Sequence, residues 1–167
     1  VAEGHAFGSH TWRHGSFRRD LPDGKVAYRL MDGRQLSLSQ AEVCAELRQP
    51  DTRFAELTGR ALDPLWRAPG GRSTSGTLKA AEACGYRHVH WAPAGFLGDE
   101  LPSDVYPNEA LLKRALANIR DGDILMAHLG IWSRKDPFAP MLDPLIAGLK
   151  ARGLCFATLA AAGRGSH

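Results

Sequence analysis

The sequence predicts an α/β protein with a parallel sheet, because short apolar runs alternate with amphipathic helical segments from about residue 40 onward. Composition agrees with a globular domain, since 44% of the 167 residues are hydrophobic and 23% are charged. Parallel strands joined by helices form either a (β/α) barrel or an open doubly wound sheet. The predicted strands are too few to close a barrel, so the open sheet is the main alternative.

The first predicted elements are a strand at residues 4–10 and a β-hairpin. Residues 26–30 and 35–38 alternate apolar and polar side chains around Asp32-Gly33, which is a strong signal for a tight hairpin turn. We interpret residues 15–38 as an insertion that projects from the rim of the sheet after the first strand.

A long helix is predicted after the hairpin. Ser39 and Glu42 have the spacing of a capping box, which predicts a helix that runs to about residue 58 and ends at Gly59. Pro50 should break or kink this helix, because proline lacks the N–H and clashes with the preceding turn. The other predicted elements are a strand at 65–67, a helix capped by Ser75 and ended by Gly85, a strand at 86–91, a helix capped by Asn108 and ending at 119, a strand at 123–128, a helix at 138–152 ended by Gly153, and a strand at 154–159.

Charge and hydropathy exclude some classes of partner. A formal net charge of +3 gives no support for nucleic acid as the partner, and no segment is long and apolar enough to span a membrane. The stretch around the hairpin forms either a solvated basic loop or a rim that attracts an anionic substrate. Its basic residues are Arg13, Arg18, Arg19, Lys25, Arg29 and Arg34.

The three cysteines, Cys44, Cys84 and Cys155, lie in apolar segments and include no Cys-x-x-Cys pair. An odd and dispersed set predicts buried free thiols rather than a disulfide framework.

Three segments carry residues that suit catalysis, and each lies where a predicted strand ends, which is where α/β barrels carry their active sites. In the first, His10 and His14 are four residues apart. On a helical turn they would share a face and suit a pair of imidazole ligands on one divalent metal. Two unrelated surface histidines are the alternative, since the chain has seven.

The second segment is residues 67–71, Arg-Ala-Pro-Gly-Gly. Arg67 can hold a carboxylate in a fixed bidentate orientation, and the glycine turn lets backbone N–H groups approach a ligand, as an oxyanion hole requires. A plain turn after a surface arginine is the alternative. The third segment is an apolar run that ends at His128, which is either a structural residue or a general acid–base group.

Taken in order, these segments resemble the polysaccharide deacetylase family, the NodB-type carbohydrate esterases. The resemblance rests on His-Thr-x-x-His from residue 10, Arg-x-Pro-Gly-Gly from residue 67 and an apolar strand that ends Met-x-His at residue 128. Residues 3–11 also resemble the family's approach to its metal-binding histidines, and residues 149–159 resemble its last helix and strand. The resemblance covers nearly the whole chain apart from the hairpin.

The resemblance implies a distorted parallel (β/α) barrel, a divalent metal that is usually zinc, and hydrolysis of N-acetyl groups on an amino-sugar polysaccharide or oligosaccharide. It favours the cell envelope or the space outside the cytoplasm. His10 and His14 would bind the metal, Arg67 would orient the catalytic base, and the Gly70 N–H would help to hold the oxyanion. His128 would be the general acid that protonates the departing amine.

Two features of the family's pattern are absent from the sequence. The family opens with a Thr-Phe-Asp-Asp strand, which supplies the base and the third metal ligand, and nothing here matches it. After Trp91 the family places an aspartate that tunes the arginine, whereas this chain has Ala-Pro-Ala. The acidic residues further along that could substitute for it are Asp99, Glu100 and Asp104.

We therefore expect a deacetylase-like domain at residues 1–163 that lacks its N-terminal strand, with an upstream segment or a partner chain supplying it. Residues 164–167 resemble the start of an expression tag and are left out of the fold prediction. The alternative function is a non-catalytic relative that binds carbohydrate but lacks the base.

Overall fold

The computed structural model describes residues 3–159, and the chain divides into two compact units, Val1–His90 and Trp91–His167. Each unit has its own apolar core. No helix among the described residues is long and apolar enough to cross a membrane. Residues 164–167, which resemble a tag, lie outside the described residues.

The first unit contains a three-stranded antiparallel sheet of β1 (Ser16–Asp20), β2 (Val26–Arg29) and β3 (Gln35–Leu38). The hairpin prediction is confirmed, because β2 and β3 pair around the Asp32-Gly33 turn. It does not project from the unit, however, since Phe17 and Tyr28 are each only 1% exposed and pack in the same core as Trp66. Apolar side chains on one face of the sheet explain this burial.

Helix α1 (Gln40–Thr58) begins and ends where the sequence predicts. The Ser39 N–H donates to the Glu42 carboxylate at 2.7 Å, the Glu42 N–H donates to the Ser39 hydroxyl, and Gly59 is left-handed with a φ of 70°. The predicted break at Pro50 is wrong, because the helix continues through it. Firm caps at both ends and an apolar face buried against the core stabilise the helix despite the proline.

A parallel βαβ unit follows, which confirms the predicted α/β class. Strands β4 (Leu65–Trp66) and β5 (Arg87–His88) pair in parallel and are joined through α2 (Ser75–Ala83). The predicted strand at 4–10 is reduced to one parallel bridge from Ser9 to Trp66, and the strand at 86–91 is shorter than predicted.

The cap of α2 differs from the prediction by one residue. Thr74, not Ser75, is the N-cap, and its hydroxyl accepts the Thr77 N–H at 3.1 Å. The two neighbouring hydroxyl residues cannot be told apart by sequence, since either can cap a helix. The helix ends at Ala83, and Gly85 follows in a left-handed conformation with a φ of 89°.

The cysteine prediction is wrong. Cys44 on α1 and Cys84 at the end of α2 form a disulfide, with their Cα atoms 6.0 Å apart. The packing of these two helices brings residues 40 positions apart in sequence within disulfide range. Cys155 is free but exposed rather than buried.

The second unit is built on α3 (Asn108–Asn118) and α4 (Leu142–Ala151), which share an apolar core with Leu97 and Phe138. The predicted helix at 138–152 begins instead as a 3-10 turn, Ala139–Met141, which leads into α4. Gly153 follows α4 with a φ of 83°.

Several details of the second unit correct the predictions. Asn108 does not cap α3, because its side chain donates to the Pro137 carbonyl and accepts from Arg134 instead. The predicted strands at 123–128 and 154–159 do not form among the described residues, apart from a parallel bridge between Phe96 and Met126. Short apolar runs need a paired neighbour to become strands.

Candidate active site

The loop that carries His10 and His14 leaves the bridge between Ser9 and Trp66. The two imidazole rings approach edge to face, with their centroids 4.9 Å apart. The predicted helical turn is wrong, since residues 11–15 form a bend and not a helix. Thr11 and His14 instead adopt left-handed backbone, with φ values of 66° and 51°, which turns both rings toward each other. Such strain in non-glycine residues is typical of functional loops.

A backbone carbonyl orients His10. Its Nδ1 lies 2.8 Å from the Arg67 carbonyl oxygen. Because a carbonyl only accepts, Nδ1 must carry the proton, and in the neutral ring the lone pair is then on Nε2. This is the tautomer that a ligand coordinating through Nε2 needs, and the same contact connects the histidine loop to the end of β4.

Arg67 begins the turn of residues 67–71. Its side chain is about half-buried, its Nε donates to the Val89 carbonyl at 3.4 Å, and burial lowers the pKa of its guanidinium. Gly70 and Gly71 follow with φ values of 60° and 66°, which only glycine adopts without strain. The glycines are therefore required by the shape of this turn.

Two further histidines, not predicted from the sequence, contact the same turn. The His88 Nε2 accepts the Ala68 N–H at 3.2 Å, and His90 lies 3.3 Å from the Gly71 carbonyl. Desolvation by burial, and then the nearby His90 and Arg67, lower the pKa of His88. A lowered pKa keeps the imidazole neutral, as its role as an acceptor requires.

In the second unit, His128 contacts a buried aspartate. Its Nδ1 lies 3.2 Å from Oδ1 of Asp99, and the Asp99 carboxylate also accepts the His128 backbone N–H. Asp99 is only 5% exposed, and the carboxylate of Glu100 lies 3.7 Å from the His128 Nε2. The parallel bridge of Phe96 with Met126 explains this pairing, because it aligns the segments that lead to Asp99 and His128.

The structure thus assembles part of the predicted site in each unit. His10, His14, Arg67 and Gly70 lie in Val1–His90, and His128 lies in Trp91–His167. Among residues 3–159, no group of three or more His, Cys, Asp or Glu side chains is arranged to hold a metal ion. The first unit therefore offers a pair of imidazoles, and the second offers an imidazole–carboxylate pair.

Comparison with protein families identifies the chain. The family model of the polysaccharide deacetylases matches residues 1–89, which is more than half of the sequence. The chain belongs to the polysaccharide deacetylase family. A curated relative is an uncharacterized 30.6 kDa protein of Geobacillus stearothermophilus, encoded in the fumA 3' region, with 28% identity over 161 residues. The match covers 95% of this chain but only 51% of that relative, so the chain spans about half of its length.

Solved structures of polysaccharide deacetylases share the fold. The Bc1960 peptidoglycan N-acetylglucosamine deacetylase matches with a TM-score of 0.70 at 22% identity, over 95% of this chain and 63% of its own. A Clostridium thermocellum acetyl xylan esterase of carbohydrate esterase family 4, in complex with a cobalt ion, matches with a TM-score of 0.69 at 20% identity. The match covers 96% of this chain and 64% of the esterase chain. BA3943 of Bacillus anthracis, a pseudoenzyme of carbohydrate esterase family 4, matches with a TM-score of 0.62 at 19% identity. The match covers 87% of this chain and 42% of the BA3943 chain. At these identities the likeness concerns the fold alone.

Sequence analysis missed Glu46, which accepts the Arg13 N–H in the histidine loop, and His88, and it linked Asp99 to the arginine and not to His128. The sequence does carry a signal for Glu46, because a charged glutamate beside Val43 and Leu47 interrupts the apolar face of α1. The contacts of His88 with Ala68 and of Asp99 with His128 gave no local signal, because each joins residues distant in sequence.

Proposed function

We propose that this chain carries the metal-ligand pair and the general acid of a hydrolase that removes N-acetyl groups from an amino-sugar polysaccharide or oligosaccharide. The observation that carries the proposal is the imidazole pair of His10 and His14, with His10 held in one tautomer by the Arg67 carbonyl. The family of the chain makes an N-acetylated polysaccharide the substrate class that we favour.

The residues present fit a divalent metal that takes nitrogen ligands, and zinc is the metal we propose. Two adjacent imidazoles, one with its coordinating lone pair fixed on Nε2, provide part of a tetrahedral set. His10 and His14 would hold the ion, which when bound supplies polarisation of the amide carbonyl and activation of water. A third ligand, a carboxylate from an upstream segment or a partner chain, would complete the set.

Arg67 and Gly70 would support the catalytic base and the oxyanion. The guanidinium of Arg67 would orient the carboxylate that acts as catalytic base, since a planar guanidinium can hold a carboxylate in one direction. The N–H of Gly70, in the left-handed turn, would help to stabilise the oxyanion as the carbonyl carbon becomes tetrahedral.

His128 would complete hydrolysis as the general acid. Its protonated ring gives a proton to the amide nitrogen as the C–N bond breaks, so that acetate and a free amine leave. The buried Asp99 carboxylate lies 3.2 Å from Nδ1 and would hold the ring in one orientation. Water supplies the oxygen and the proton that balance the reaction.

The disulfide supports a location for this activity. Disulfides persist in oxidising environments such as the periplasm and the cell surface. The Cys44–Cys84 disulfide therefore favours a location of this type. We therefore favour the cell envelope or the extracellular space, where N-acetylated polymers are exposed.

A non-catalytic relative that binds carbohydrate is the second candidate. It is favoured by the absence of a three-ligand metal cluster among residues 3–159 and by the fold likeness to a pseudoenzyme. The test is to supply a segment with an Asp-Asp strand and zinc, and to measure acetate release from N-acetylglucosamine oligomers. Acetate release supports the hydrolase, whereas oligomer binding without release supports the second candidate.

A further inference from the structure

We propose that Glu46 is a positioning residue that holds His14 in the orientation a metal ligand requires. The inference rests on the proposed metal site, and it assigns a specific task to a buried carboxylate outside that site. Glu46 lies on α1, is 2% exposed, and is surrounded on its helix by the apolar Val43 and Leu47.

The hydrogen bonds of Glu46 are directed at the residue before His14. Its Oε2 accepts the Arg13 backbone N–H at 3.0 Å, and its Oε1 accepts the Arg13 Nε at 2.6 Å. A buried carboxylate is stable only when it is paired and hydrogen-bonded, so these contacts account for its burial. They also fix the peptide that leads into His14.

A second path runs from Glu46 to the residue after His14. The Tyr28 hydroxyl donates to Oε2 of Glu46 at 3.0 Å and accepts the Gly15 backbone N–H at 2.8 Å. Burial is the main cause that raises the pKa of Tyr28, which keeps the hydroxyl protonated so that it can donate. One carboxylate oxygen therefore terminates hydrogen bonds from both sides of His14.

The backbone of His14 requires such support. Its φ of 51° is unfavourable for a residue with a side chain, and such strain persists only where the surroundings hold it in place. The fit is close, since a Cβ added at Gly15 would lie 2.4 Å from the Tyr28 ring. Without Glu46 we expect the peptides on both sides of His14 to relax and its ring to lose its fixed distance from His10.

The experiment compares three variants of the 167-residue chain: Glu46→Gln, Tyr28→Phe and Glu42→Gln. The last is the matched control, because it makes the same change one turn earlier on α1, at a residue whose hydrogen bonds are with the N-cap Ser39. Zinc affinity is measured by calorimetry, folding by circular dichroism, and the His14 ring by NMR without metal.

We expect Glu46→Gln to weaken zinc binding by about 10-fold to 100-fold, the range for residues that orient a metal ligand. Tyr28→Phe should weaken it less, since the Arg13 contacts remain, and both should shift the His14 ring resonances in the metal-free protein. Glu42→Gln should lower thermal stability while leaving zinc affinity and these resonances unchanged. Unchanged zinc affinity in folded Glu46→Gln, or an equal loss in the control, would overturn the proposal.

The two proposals fail in different ways. If the wild-type chain bound no zinc at all, the proposed metal site would be wrong, and the NMR comparison would still decide the role of Glu46. His14 resonances that stay unchanged in both Glu46→Gln and Tyr28→Phe would then show that the carboxylate does not position the loop.

Discussion

Each unit holds a candidate site histidine near a buried carboxylate, but the two carboxylates contact different atoms. In Val1–His90, Glu46 accepts hydrogen bonds from Arg13 and from the Tyr28 hydroxyl, which in turn accepts the Gly15 N–H, so its contacts are with the backbone on both sides of His14. In Trp91–His167, Asp99 contacts the ring of His128 itself. The first arrangement controls position, whereas the second also places a negative charge beside the ring.

This difference matches the chemistry proposed for each histidine. A metal ligand must be neutral and correctly placed, so a carbonyl on the His10 ring and a carboxylate on the loop backbone are suitable partners. A general acid must present its proton in a fixed direction, and a carboxylate at its ring can hold that orientation. A buried carboxylate thus contacts the loop backbone in one unit and the imidazole ring itself in the other.

The strongest way to test the comparison is to remove the proposed acid. In the complete enzyme, His128→Ala should lower turnover by about 10²-fold to 10⁴-fold, the usual contribution of general acid catalysis. Metal content should be unchanged, because His128 is not one of the proposed ligands. Loss of metal from this variant, measured by atomic absorption, would mean that a ligand had been mistaken for an acid.

A smaller effect is expected when the charge beside the acid is removed. Asp99→Asn should lower turnover by roughly 10-fold to 10²-fold, since the acid remains but loses its anionic partner. Glu100→Gln is the matched control, because its carboxylate is more exposed and lies 3.7 Å from Nε2. Equal losses in both variants, or altered zinc affinity in Asp99→Asn, would show that Asp99 has no special role at the ring.

The contacts that distinguish the two units were only partly predictable from the sequence. Local signals worked well: the Ser39–Glu42 capping box and the Asp32-Gly33 turn depend on neighbouring residues, and both are present. The Asp99–His128 pair depends on parallel alignment of segments 29 residues apart, which no local pattern reports. The disulfide was missed for the same reason, because only helix packing brings its cysteines together.

The strands show a second limit of sequence analysis. Segments 4–10 and 123–128 are predicted as strands from the sequence, yet each makes only a single bridge in the described structure. A strand requires hydrogen bonds to a neighbour, so its length depends on what lies beside it. The predicted position of His10 and Arg67 after strand residues is nevertheless observed, since both follow the bridged pair Ser9 and Trp66.

A pH titration would sharpen the description of the first unit. The pKa of His88 is lowered below its usual 6.5, so in the acid range the unfolded chain binds protons more readily than the folded one. The stability that neutral His88 contributes is therefore complete above about pH 6.5 and is lost as pH falls through the lower, folded pKa. His88→Gln, which keeps an acceptor without titrating, should flatten this part of the profile of thermal unfolding against pH. An unchanged profile would exclude His88 as the cause.

The smallest effect is expected at the basic sheet surface. Arg18, Arg19 and Arg29 are exposed, and we predict that they attract a long polymeric substrate. Replacing all three with Gln should raise KM a few-fold for a polymer, less for a short oligomer, and the difference should fade with added salt. The control replaces the exposed Lys79, Lys113 and Lys150. An equal change in KM for both substrates at all salt concentrations would show that these arginines only keep the surface hydrated and do not attract the polymer.

Zinc titration of the 167-residue chain tests the central claim most directly, because that claim is a metal site with two imidazoles that needs a carboxylate from elsewhere. We predict weak binding by the chain alone, loss of binding in His10→Ala and His14→Ala, and much tighter binding when a segment with the Asp-Asp strand is supplied. Tight zinc binding and acetate release by the chain alone, or zinc binding that survives both histidine substitutions, would contradict the account.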